Sequence, residues 1–261
     1  MGYLNNNTGY PEGLLEARCV VKKENYLLLP QDGLVNNSVP GYENCQVSIL
    51  SSPELGASFA DYLVTALEGG KNDKIGGSGI ESFLYVVEGE VSVKAGDRQE
   101  VLTKGGYIFV PSTESLSFEN KIDKSQLFVY RRRYEKIDEY DYPEIIIGNV
   151  DDLEWIDYEG MDDCQIKNLL PAGDDYRFDM NMHILRFKPG ASHGYIETHI
   201  QEHGMLCLTG AGMYHLDGDW MPVEKGDYIF MDAYCPQACY GIGHEDFSYV
   251  YSKDCNRDVR L

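Results

Sequence analysis

Lys104-Gly105-Gly106-Tyr107-Ile108-Phe109 returns further along the chain as Lys225-Gly226-Asp227-Tyr228-Ile229-Phe230, an offset of 121. The same offset carries Gly89 onto Gly210 and Phe128-Val129-Tyr130 onto Tyr249-Val250-Tyr251. One register therefore holds without a gap from Gly89 to Tyr130. Upstream, Gly56-Ala57-Ser58 matches Gly190-Ala191-Ser192 at an offset of 134, so the first copy contains 13 extra residues, with the Gly-rich stretch Gly69 to Gly79 as their natural place. Repetition on this scale decides the architecture before any motif is weighed.

Each copy reads as short runs rich in Tyr, Val, Ile and Phe, divided by Gly, Pro, Asn and Asp. Phe83-Leu84-Tyr85-Val86-Val87, then Glu88-Gly89-Glu90, then Val91-Ser92-Val93 is a hairpin signal. Its counterpart runs from Met205 to Leu208, turns at Thr209 to Gly212, and returns through Met213-Tyr214-His215-Leu216. Many short strands with regular turns predict an all-β fold of two tandem barrels or sandwiches, with helix a minor component. The expected layout is an N-terminal arm over 1–44, a first barrel over 45–134, a connector over 135–163 and a second barrel over 164–261. The arm, with Asn5-Asn6-Asn7, Pro11, Pro30 and Pro40, is expected to pad one of the barrels. The connector, with twelve acidic residues and one lysine, reads as a solvated linker with a single strand in Glu144 to Ile147.

The 261 residues carry a net charge of −21, of which the connector supplies −11. A polyanion repels phosphate backbones, which excludes nucleic-acid binding driven by counterion release, and acidic lipid surfaces are disfavoured for the same reason. The longest apolar runs, Leu27-Leu28-Leu29 and Ile145-Ile146-Ile147, fall far short of the roughly 20 residues of a membrane span. Met1-Gly2-Tyr3-Leu4-Asn5-Asn6-Asn7 lacks the basic and apolar regions of a secretory signal, so a cytoplasmic protein without membrane contact is expected. Seven scattered cysteines with no Cys-x-x-Cys pair fit reduced thiols better than a disulfide framework.

All six histidines follow residue 182, so the two copies cannot do the same work. The densest constellation is Glu197-Thr198-His199-Ile200-Gln201-Glu202-His203. On a strand, Glu197 and His199 would face one side, and His203 would return across a turn onto the neighbouring strand. Two imidazoles and a carboxylate on an inward face suit a divalent metal. His199 and His203, four apart, would also permit a helical zinc pair, but Glu202 precedes the second His instead of following the first. Surface histidines on a polar loop are the plainer alternative, against which three donors within seven residues weigh. Tyr214 and Tyr249, in a chain with 20 tyrosines, read as barrel packing, and Lys253 as a solvated lysine whose repeat partner, Arg132, is equally basic. His183, His193 and His215 remain open, and His244 reads as a loop residue.

These residues resemble the cupin family. Its first motif places two donors one residue apart, a third after three or four residues, and a Gly six residues later. Glu197, His199, His203 and Gly210 fill those slots. The second motif, read from Gly226, puts Asp232, Tyr234 and Gln237 at its Pro, Gly and ligand positions. The resemblance narrows to the (S)-ureidoglycine aminohydrolase family through Phe178-Asp179-Met180-Asn181-Met182-His183, through Gly190-Ala191-Ser192-His193-Gly194-Tyr195-Ile196-Glu197-Thr198-His199, and through Tyr251-Ser252-Lys253-Asp254-Cys255-Asn256-Arg257.

That resemblance implies a bicupin, two cupin jelly-roll barrels in one chain, that uses Mn²⁺ to replace the amine of (S)-ureidoglycine with hydroxyl during allantoin (purine) catabolism. It implies Glu197, His199, His203 and Gln237 as metal ligands. Tyr214, Tyr249 and Lys253 would contact this small-molecule substrate, and Glu197 and Lys253 would take catalytic parts. Oxygen and nitrogen donors without thiolate agree with Mn²⁺. The repeat offsets place Leu63, Thr65, Ser82 and Leu116 at the ligand slots of the first copy, which is expected to be a metal-free scaffold. Association of copies into a homo-oligomer is expected from barrel edges and the long arm. Two other readings are a different metal-dependent bicupin enzyme, an oxygenase or isomerase, and a non-catalytic bicupin that binds small molecules.

Overall fold

β-branched and aromatic residues build strands throughout a computed structural model that describes residues 19–259; the first 18 residues of the predicted arm lie outside the described residues. Apart from two 3-10 turns, Gln31–Gly33 and Val150–Asp152, the regular structure of the described residues is strand. No helix among them is long and apolar enough to cross a membrane.

The 17-residue strand Phe59–Ile75 organises the first copy. Tyr42–Ser51 pairs antiparallel along one side of it from Asp61 to Asn72, Lys124–Arg133 pairs along the other from Phe59 to Leu67, and Leu116–Glu119 then pairs with Lys71 to Ile75 across a register shift. One strand thus carries the hydrogen-bond ladder from one layer of the barrel to the other, and all the strands of this half form one nine-stranded sheet. Val47, Val64, Leu84, Val86, Val93, Leu116 and Val129 fill its interior, none more than 1% exposed.

In the second copy the ladder is interrupted. An eight-stranded sheet, with Met180–Phe187, Phe247–Asp254, His203–Thr209 and Tyr228–Met231 among its strands, faces a separate three-stranded sheet of Asp219–Glu224, Ala211–Leu216 and Gln237–Ile242. Where the first copy has its crossing strand, residues 188–202 run as irregular extended chain whose ladder pairing is reduced to isolated bridges, Ser192 to Tyr240 and Glu197 to Gln237.

Arm and connector contribute strands to both halves. Tyr26–Leu29, from the arm, pairs with Tyr228–Met231 and so extends the sheet of the second barrel. Within the acidic connector, Ile146–Asn149 pairs with Gly106–Val110 of the first barrel and Ile156–Tyr158 pairs with Met161–Asn168 of the second. The connector is therefore more than the solvated linker its charge suggests. Its strand begins two residues later than expected because Ile146 is the residue that meets Phe109 in register.

A third core lies between the barrels. Phe59, Leu63, Phe83, Phe109, Phe128 and Tyr130 from the first half are packed with Phe178, Met180, Met182, Leu206, Tyr228 and Phe230 from the second. Phe59 meets Phe230 at 5.8 Å and Phe109 meets Phe178 at 5.3 Å between ring centroids. Burial of such side chains contributes roughly 1.5–3 kcal/mol each. This placement corrects one sequence expectation. Leu63 fills the seam, not the first barrel's interior, because Val64 beside it faces inward and successive strand residues alternate. The 134-residue offset therefore does not hold as far as the first ligand slots, whereas the 121-residue offset places Leu116 inside, as expected.

Polar groups also cross the seam. The Tyr228 hydroxyl donates to Asp61 Oδ2 at 2.6 Å and lies 3.0 Å from Ser51 Oγ, and Asp61 is fully buried. Both press on Gly204, where an added Cβ would lie 2.1 Å from Asp61 Oδ2 and 2.6 Å from the Tyr228 oxygen. Burial raises the Asp61 carboxyl to about 8, against the opposing effect of the Tyr228 hydrogen bond. In the unfolded chain this group ionises near its ordinary value, so between there and about pH 8 the unfolded state binds fewer protons and stability falls as pH rises.

Two predictions follow from this seam. Gly204→Ala should lower stability by about 1–3 kcal/mol through overpacking, measured by chemical denaturation. Wild type should lose thermal stability relative to Asp61→Asn as pH rises from 4 towards 8, with the difference levelling above that; parallel melting curves would contradict the raised ionisation.

Candidate functional site

The interrupted ladder of the second barrel leaves a pocket, and Glu197, His199, His203, Tyr214, Gln237, Tyr249 and Lys253 all line it. Every residue singled out from the sequence for metal or substrate is thus brought to one place. They arrive from separate elements. Tyr214 lies on Ala211–Leu216, Tyr249 and Lys253 on Phe247–Asp254, while His203 and Gln237 each open a strand. Glu197 and His199 do not lie on a regular strand as expected. Glu197 is fixed by a two-way backbone bridge to Gln237, with both N–H···O contacts at 2.9 Å.

The two imidazoles are oriented by backbone carbonyls. His199 Nδ1 lies 3.0 Å from the Gln201 oxygen and His203 Nδ1 2.8 Å from the Ser252 oxygen. A carbonyl oxygen only accepts, so each ring carries its proton on Nδ1. Burial is the main cause that lowers the basicity of both rings, and each Nε2 is left with a lone pair. Those two Nε2 atoms are 3.2 Å apart, and the Gln237 side-chain amide is 2.9 Å from that of His199. Facing lone pairs repel, and a divalent cation shared between them removes the conflict. Gln237 Nε2 faces the His199 lone pair as a donor, and the amide turned end for end would offer its oxygen to a cation.

Glu197 lines the same pocket. Burial raises its carboxyl above the ordinary range, Lys253 opposes that, and Glu159 adds to it. Among the described residues, no three His, Cys, Asp or Glu side chains form a metal-holding group by themselves. The two imidazoles with a carboxylate and an amide along one pocket are donor types that a hard to borderline cation takes.

Deeper in the pocket the hydroxyls of Tyr214 and Tyr249 lie 3.4 Å apart, both buried, and burial keeps both phenols protonated. The Cupin domain family model matches residues 183–252, the span that holds most of these groups. An (S)-ureidoglycine aminohydrolase from Escherichia coli (strain K12) is 55% identical over 264 residues, covering 100% of both chains. The (S)-ureidoglycine aminohydrolase of Arabidopsis thaliana is 30% identical over 93% of this chain and 79% of its own.

This chain belongs to the (S)-ureidoglycine aminohydrolase family.

Among solved structures, protein Ylba from E. coli superposes with a TM-score of 0.86 at 51% identity, covering 97% of this chain and 100% of that one. Bacillus subtilis oxalate decarboxylase superposes with a TM-score of 0.67 at 11% identity, covering 95% of this chain and 81% of that one, a likeness of fold alone. Within this family frame, the structure also brings Tyr158, His193 and Tyr251 to the pocket. Tyr251 was within reach of sequence reasoning, since it alternates with Tyr249 and Lys253 on one strand. Tyr158 was not, because it comes from the acidic connector. His183 and His215 are buried elsewhere: His183 Nδ1 is 2.8 Å from Asn168 Oδ1, and His215 packs against Trp220.

Titration with a divalent metal should show one site per chain by calorimetry. His199→Ala should weaken it by more than about 100-fold, since a ligand matters at least as much as the groups that orient it. Ser82→Ala in the first barrel should leave it unchanged.

Proposed function

We propose that this chain is a Mn²⁺-dependent (S)-ureidoglycine aminohydrolase, which releases ammonia from (S)-ureidoglycine and leaves (S)-ureidoglycolate in allantoin breakdown. The observation that carries the reading is the convergence of two imidazoles, a carboxylate, an amide, one lysine and two phenols on a single pocket, in a chain alike over its whole length to a relative of that name. Glu197, His199, His203 and Gln237 would hold the metal. When bound, the ion supplies Lewis-acid polarisation and open positions for a chelating substrate.

The chain's own groups supply the rest. Lys253 offers a point charge to the substrate carboxylate. Tyr214 and Tyr249 offer hydroxyls to the ureido carbonyl. The reacting carbon bears both the amine and a ureido nitrogen, whose lone pair assists departure of the amine. The C–N bond breaks, a C–O bond forms from water, and the water proton leaves with the ammonia. Glu197, a carboxylate lining the same pocket, is the group suited to pass the proton. The chain's work is then largely orientation and choice of face. A cytoplasmic homo-oligomer, associating through its sheet edges and touching neither membrane nor nucleic acid, completes the reading.

Ammonia release from freshly prepared ureidoglycine, with and without Mn²⁺ and against allantoate, tests it. Metal-dependent release from ureidoglycine alone is expected; an oxygen-consuming reaction with Fe²⁺, or binding without turnover, would overturn it. Lys253→Ala should lower kcat/KM by roughly 10- to 100-fold, the scale of a lost charge-assisted hydrogen bond. Full turnover with bound metal in Glu197→Gln would remove the relay from the mechanism.

A further inference from the structure

His193 lines the active pocket, yet neither of its ring nitrogens has a hydrogen-bond partner, and both are shut off from bulk water. Its ring is held between Tyr158, at 5.7 Å, and Phe187, at 5.2 Å and edge-on. A buried imidazole with both nitrogens unsatisfied costs free energy, and such a group calls for a reason.

The strand register gives its place in the pocket. The His193 N–H donates to the Cys239 oxygen at 3.0 Å, and Cys239 pairs with Tyr214. Four residues on, Glu197 is bridged to Gln237, which pairs with Leu216. His193 therefore belongs to the row of Tyr214, and Glu197 to the row of the metal ligands. Along Phe247–Asp254 the inward residues descend from Lys253 through Tyr251, which meets the His203 ring at 5.2 Å, to Tyr249. Tyr249 then meets Phe187 at 6.2 Å, and Phe187 touches His193. The pocket is graded: Lys253 and the four candidate donors at one end, and two phenols with His193 at the other.

We propose that His193 is a substrate-contact residue that accepts a hydrogen bond from the ureido N–H groups, so that it reads the end of the substrate remote from Lys253. This rests on the ureidoglycine reading above. The two phenols, as donors, match the ureido carbonyl, whereas ureido N–H groups need an acceptor. A neutral imidazole has one such lone pair. Burial lowers His193 to about 4, so the lone pair is kept throughout the neutral range and the ring is a poor base for the departing amine. Its part is recognition, not proton transfer.

The test uses Mn²⁺-loaded protein and two unreactive probes: ureidoacetate, which is the substrate without its amine, and glycolate, which has no ureido group. His193→Phe should bind ureidoacetate about 5- to 30-fold more weakly and glycolate as wild type does, with KM for ureidoglycine raised to match. His193→Gln, which restores an acceptor, should recover most of the loss. Unchanged ureidoacetate binding in His193→Phe, or equal weakening for both probes, overturns the proposal. Should the Phe variant misfold, the His193 ring ¹⁵N resonances of wild type loaded with diamagnetic Mg²⁺ in place of Mn²⁺ decide: a shift with ureidoacetate but not glycolate supports the contact, and no shift overturns it. A wild type that releases no ammonia fails the parent reading instead.

Discussion

Phe59, Phe109 and Tyr130 of the first barrel are pressed against Phe178, Tyr228 and Phe230 of the second, and neither set can be returned to water without losing the burial that holds both barrels. This apolar seam sets the distance between the halves. It also sets the position of the strand that begins with His203, because Asp61 and Tyr228 pack on the Cα of Gly204, where no side chain fits. One imidazole of the site is therefore placed by a carboxyl from the barrel that has no histidine. The first barrel acts on the chemistry through shape.

The two copies show what the shared template allows. In the first, the crossing strand Phe59–Ile75 uses its backbone in ladder bonds to its neighbours. In the second, the corresponding segment keeps single bridges, and the chain is free to turn Glu197, His193 and His199 towards one cavity. The basic positions diverge likewise. Arg132 is buried beside Glu81 and Asp179 and donates to the Asp179 backbone oxygen, whereas Lys253, its repeat partner, lines the pocket. Equal charge at equivalent positions serves the seam in one case and the cavity in the other.

The strand-rich fold was legible because Lys104–Phe109 and Lys225–Phe230 repeat in register with flanking glycines, and period-two patterning identifies strands directly. Glu197, His199 and His203 were legible because three donors lie within seven positions, whereas Gln237, Tyr214, Tyr249 and Lys253 were reached only through the family resemblance. Partnerships between distant segments were not. Nothing in Tyr26-Leu27-Leu28-Leu29 says that its ladder lies some two hundred residues away, and the high acid content of the connector hides Ile146–Asn149 and Tyr158. His193 was ambiguous for the same reason. Its meaning depends on Phe187, Cys239 and Tyr158, which only the closed barrel brings to it.

The arm strand has a consequence for the order of folding. Tyr26–Leu29 leaves the ribosome early, but its hydrogen-bond partners in Tyr228–Met231, and the Asp219 carboxylate that accepts from the Tyr26 hydroxyl, are made near the end of synthesis. The first barrel has all but its connector strand within residues 42–133 and can condense while the chain is still growing. The barrel that bears the site cannot seat this edge until Tyr228–Met231 emerges, so its completion waits on a contact between segments some two hundred residues apart. Assembly of the reactive half is thereby made the late event, templated on a half already folded.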